Sequence, residues 1–183
     1  TARILDLPSH EPDEVESMVR LSAEEYVPYR AEELVLDQAI LEKQENGSSR
    51  VLAMFAHRDV VDRHVETLAA AGLEPSRVLV STACIASACI AAGLPGDQSL
   101  CLVNLMAGGL EAVVFKNGSL AYGRAIAVPH NWQTGGENAK DVLEDLTVEI
   151  RASLAAYQRE SEDVFGVDAL QLASETGSAE DLA

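Results

Sequence analysis

From residue 100 onward, three short apolar runs divided by turn residues are followed by one long amphipathic stretch, and few folds accept that order. Leu100-Cys101-Leu102-Val103, residues 110–115 and residues 120–128 each have the length of a strand. Asn117-Gly118 accepts positive φ between the last two, so the three read as an antiparallel meander. Residues 129–136 form a polar loop. A helix is predicted over about 137–161, with Leu143, Leu146, Ile150, Leu154 and Tyr157 on one side and most of its acids on the other. Such a helix packs one face on a sheet and turns the other to water. A last strand is predicted over 167–173, and a helix start over 178–183 is cut short by the chain end.

The first half has a different rhythm. Arg3-Ile4-Leu5-Asp6-Leu7 alternates and stops at Pro8, as a strand does. Ser9 or Asp13 is placed to cap a helix carrying Val15, Met18, Val19, Ser22 and Tyr26 on one face, and Pro28 ends it. Residues 34–42 read as a strand, Asn46-Gly47 as a turn, and residues 50–57 as a returning strand, apolar on both faces and therefore central. A second helix over about 59–71 has Val61, His64, Val65, Leu68 and Ala69 as its inward stripe, with Gly72 as its left-handed cap. A strand over 77–81 and a small-residue helix over 82–92 follow. The order strand, helix, strand, strand, helix, strand describes a helix-backed sheet. Gly93-Leu94-Pro95-Gly96-Asp97 then punctuates the chain and sets the expected boundary, with residues 1–94 on one side and 95–183 on the other. Thr1 leads straight into strand, which reads as a piece of something longer.

Charge narrows the partners. Thirty acidic residues against thirteen basic ones give a net charge of −17, which repels phosphate backbones and anionic headgroups. Nucleic acid and direct membrane insertion are not expected, and no apolar run approaches the roughly 18 residues of a spanning helix. Solubility accounts for the charge most simply, and a basic protein patch is the alternative use. Cys84, Cys89 and Cys101 are an odd number in apolar surroundings, the pattern of packed thiols in a reducing compartment.

Six phrases along the chain, Tyr26–Tyr29, Leu36-Asp37, Val51–Phe55 with Val60-Val61, Ala71–Pro75, Ala121–Ile126 and Glu149–Leu154 with Tyr157, in collinear order, resemble the PilM family of pilus-assembly proteins. Tyr26-Val27-Pro28-Tyr29 is similar to the family's E-x-Y-I-P-F phrase, and Leu36-Asp37 to the strand after it. Val51 to Phe55 with Val60-Val61, and Ala71-Gly72-Leu73-Glu74-Pro75, resemble the stretch ending in aGLkP. Ala121 to Ile126 is similar to its f-x-R-x-I strand, and Glu149 to Leu154 with Tyr157 to its EI-x-R-S-L-x-x-Y helix. A weaker likeness extends to the secretion protein GspL and the division protein FtsA. The resemblance implies an α/β (α+β) chain: a small inserted subdomain over 1–94 and part of the second actin-like, ribonuclease H-like lobe over 95–183.

Nucleotide chemistry in that fold uses glycine hairpins that admit phosphates and an acid that positions the metal. The resemblance places its second hairpin at residues 104–111, where Asn104 stands for the acid, Met106 for the first glycine and Glu111 near the expected threonine. Asn104, Ala107, Gly108 and Gly109 are therefore the candidate, degenerate cofactor-binding residues, with a plain turn at the glycines as the favoured reading. A neutral amide and an added carboxylate both work against Mg-ATP. No catalytic residue, metal site or cofactor is expected, and ATP with magnesium only in an intact parent protein. His57 and His64 have no recognised ligand spacing, and His64 reads as a core histidine. Trp132 is a candidate partner anchor or a lid over the sheet.

The expected function is a cytoplasmic protein-binding platform at the inner face of the inner membrane, recruiting partners to a pilus or type II secretion machine. The partners implied by the resemblance are the cytoplasmic tail of an inner-membrane assembly protein and a traffic ATPase. The alternative is an actin-like or sugar-kinase-like ATPase with a divergent nucleotide site.

Overall fold

Alternating strand runs and one short amphipathic helix build the first part of the chain. The computed structural model describes residues 1–94, 96–106, 109–127, 139–161 and 166–174, with backbone alone for 139–143. Strand β1 (Ala2–Leu7) leads through Pro8 to helix α1 (Pro12–Tyr26). No side chain caps α1; Pro12 opens it, where the missing N–H costs nothing, and Ser9 Oγ instead accepts from the Glu11 amide at 3.1 Å. Val27, held extended by Pro28, closes it.

Strands β2 (Leu34–Lys43) and β3 (Ser49–His57) form a hairpin, and β3 lies between β1 and β2 with every pair antiparallel. The central place expected of residues 50–57 is the one they occupy. In the β2–β3 turn Gly47 has φ of +88°, and Asn46 Oδ1 accepts from the Ser48 amide at 3.0 Å. Val15, Val19, Ala23 and Val27 pack on Leu5, Leu34, Val51, Ala53 and Phe55. Each larger side chain so buried contributes about 1.5–3 kcal/mol before entropy is counted. The Tyr26 and Phe55 rings stack at 6.0 Å between centroids.

Helix α2 (Arg58–Ala70) departs from expectation. It buries none of its residues; Val61 and Val65 are half-covered, while His64, Leu68 and Ala69 are exposed. Gly72 does cap it, with φ of +76° and the Leu73 amide donating to Leu68 O. The strand expected over 77–81 does not form. Val78 and Leu79 are 54% and 63% exposed, and the run pairs with neither β1 nor β2, the edge strands of the sheet. A strand exists only where a partner supplies the ladder, whatever the local propensity. Helix α3 (Ser81–Ala91) follows, ended by Gly93 with φ of +67° and the Leu94 amide on Cys89 O.

The chain divides into two compact units, Thr1–Ala83 and Cys84–Ala183. The division falls inside α3, one helix before the glycine and proline stretch at 93–97. In the second unit β4 (Leu100–Met106), β5 (Gly109–Lys116) and β6 (Ser119–Ala127) make the expected meander. Asn117 and Gly118, with φ of +51° and +76°, supply its primed turn. Helix α4 (Ala139–Glu160) leads to β7 (Ala169–Ser174), which joins β4 in parallel and gives the order β6-β5-β4-β7. Leu146, Ala156 and Tyr157 of α4 bury against Cys101, Val103, Leu105, Leu110, Ala112, Val114 and Tyr122. The helix start expected over 178–183 lies outside the described residues.

Candidate functional site

The β4–β5 hairpin is where the candidate cofactor-binding residues fall. Register closes at Met106 opposite Gly109, so residues 107–108 are its connection. Ala107, Gly108 and the candidate partner anchor Trp132 lie outside the described residues. Asn104 is half-buried on β4 and directly opposite Glu111 on β5. Glu111 is fully buried. One step outward on either side, Glu111 faces Ala125 of β6 and Asn104 faces Ala173 of β7. The row across the sheet at this level is Ala125, Glu111, Asn104, Ala173: two methyls, one carboxylate and one neutral amide, with no cation.

Gly109 has a reason to be glycine that involves no ligand. A Cβ there would sit 2.0 Å from Ile126 O, 3.0 Å from Ile126 C and 3.1 Å from the Ala127 Cα. All three atoms are backbone, so the absent side chain lets β6 lie close against the start of β5. The glycine serves the sheet here.

The remaining polar candidates are scattered. His57 ends β3 and its Nδ1 accepts from the Asp59 amide at 3.3 Å, capping α2. His64, expected in the core, is exposed, and its Nδ1 lies 2.7 Å from Val60 O within its own helix. A helical stripe turned inward in the sequence reading, but α2 has little to lean on, so the imidazole meets water. Among the described residues no three His, Cys, Asp or Glu side chains come together as a metal site would require. Cys101 and Cys89 are buried as expected, and burial raises both thiols, Cys101 to about 11. Cys84, expected to be packed, is exposed.

The family of type IV pilus assembly proteins PilM matches the chain over residues 3–172. The chain belongs to that family. No curated protein sequence matches it. Of solved structures similar to this PilM-family chain, one is a PilM-PilN type IV pilus biogenesis complex, with a TM-score of 0.79 and 22% identity, covering 100% of this chain and 62% of the other. Another is a protein from Bacteroides thetaiotaomicron with an actin-like ATPase fold and unknown function, at 0.52 and 13%, covering 99% and 59%. At these identities the likeness is one of fold, and the α+β, actin-like architecture expected from the sequence is the one found. The PilM-family chain thus spans about six tenths of each relative's length.

Leu68, expected on an inward stripe, and Val78 and Leu79, expected in a strand, are exposed, as are Val60 and Leu73.

Proposed function

We propose that the chain is the protein-docking part of a PilM-type assembly platform, without ATPase activity of its own. The reading rests on one observation: the whole chain overlays a PilM-PilN type IV pilus biogenesis complex at a TM-score of 0.79. The likeness supports a protein partner; in this reading that partner is the cytoplasmic tail of an inner-membrane assembly protein, with a traffic ATPase as a further one. The platform then sits at the inner face of the inner membrane through those partners. Among the described residues no helix is long and apolar enough to cross a membrane. The hairpin supports the absence of hydrolysis: Asn104 carries no charge to hold a magnesium shell, and Glu111 puts a buried carboxyl group directly opposite it.

Two titrations test this. A labelled peptide of the cytoplasmic tail of a PilN-type protein from the same genome is expected to bind saturably, read by fluorescence anisotropy. Mg-ATP is expected to give no phosphate release in a coupled assay. Absence of peptide binding by the chain overturns the docking reading, and ATP turnover by the chain overturns the second half.

A further inference from the structure

Helix α2 follows β3 directly, and the imidazole of His57 stands at its N-terminus. The helix buries none of its own residues, so its N-terminal turn depends on local bonds. His57 Nδ1 accepts the Asp59 amide at 3.3 Å, and the Asp59 carboxylate lies 4.0 Å from the same nitrogen. The ring is held from the other side by Tyr29, edge to face at 4.8 Å between centroids. Arg58, the other charged neighbour, donates from its guanidinium at 3.0 Å to Leu34 O, on the residue paired with His57 across the hairpin.

An imidazole nitrogen accepts a hydrogen bond only while it carries no proton. The neutral ring, with its proton on Nε2, takes the Asp59 amide; the charged ring has a donor at both nitrogens and takes none. We propose that His57 is a proton-responsive joint. On protonation Nδ1 exchanges the backbone amide of Asp59 for its carboxylate, and the first turn of α2 loses its cap. The proton comes from solvent, and the ring is partly exposed, with a quarter of its side-chain surface open. The positive charge at the helix N-terminus opposes the helix dipole, and the Asp59 carboxylate offsets it. The change is therefore local to the first turn, with overall stability little altered. The groups beside the ring are Tyr29, Arg58 and Asp59, and the exchange at Nδ1 is between the backbone amide and the carboxylate of Asp59.

Amide spectra of the isotopically labelled chain between pH 8 and pH 5 test the exchange. The Asp59 amide shift is expected to follow the His57 ring signals along one titration curve. Its hydrogen exchange, corrected for the intrinsic pH dependence, is expected to rise about fivefold, the factor that goes with loss of a helix cap. His57→Asn keeps a neutral acceptor and is expected to abolish the response. Asp59→Ala removes the acceptor of the imidazolium and is expected to enlarge the rise in exchange. A flat Asp59 amide while His57 titrates, or an unchanged response in His57→Asn, overturns the proposal.

Discussion

Replacing Gly109 with alanine tests whether that glycine serves the sheet. The new Cβ would lie 2.0 Å from Ile126 O, and ordinary contact begins at 3.4 Å, so the strands must part by about 1.4 Å. The obstacles are all backbone and no rotamer relieves them. Parting the strands there disturbs the pairs Gly109 with Ala127 and Leu110 with Ile126. Leu110 is fully buried, and Ile126 packs against the same core. Overpacking of this kind costs typically about 1–3 kcal/mol, and a backbone clash belongs at the upper end. With a urea slope of about 2 kcal/mol per molar, the midpoint of the second unit's transition drops by roughly 1–1.5 M. Urea titration followed by circular dichroism reads this, with an unchanged slope expected. A loss below about 0.5 kcal/mol, the usual range of a harmless substitution, refutes the reasoning and returns the glycine to the list of ligand-binding residues.

Thiol labelling separates the cysteines. Cys84 is expected to react with a disulfide reagent in the folded chain, and Cys89 and Cys101 only after denaturant is added; prompt labelling of all three refutes the burial. Cys101 also gives a pH window: its folded thiol is raised from 9.0 to about 11, so the unfolded thiol ionises first and stability falls as pH rises from 9 towards 11. Cys101→Ala is expected to flatten that slope in denaturation curves taken across the window. Leu79→Ser is expected to change the unfolding free energy by less than about 0.5 kcal/mol, because the side chain is already largely in water; a loss of about 2 kcal/mol or more marks Leu79 as covered after all.

Most of the fold was legible because its signals are local. Pro8, Pro28, Gly72 and Asn117-Gly118 act through their own backbone, so they end or turn the chain wherever the rest goes. The long stripe Leu146 to Tyr157 was legible because a sheet able to cover it precedes it in the same chain. Residues 77–81 and the stripe through His64 and Leu68 failed for the opposite reason. Apolar spacing states that a face seeks cover, and whether a neighbour arrives is decided by tertiary packing. At the hairpin, the loss of charge at Asn104 was readable from one letter. The role of Gly109 was not, because it depends on how closely β6 passes, seventeen residues further on at Ile126.

The parallel pairing of β7 with β4 has a consequence for synthesis. Leu100, Cys101, Leu102 and Val103 are made early and, with β5, already have one side hydrogen-bonded, yet their other side waits for Ala169–Ser174. All four side chains are buried in the finished sheet. Throughout translation of α4 that flank is a bare, greasy template for any passing strand. A nascent chain stalled before residue 169 leaves that flank of β4 without its own partner strand.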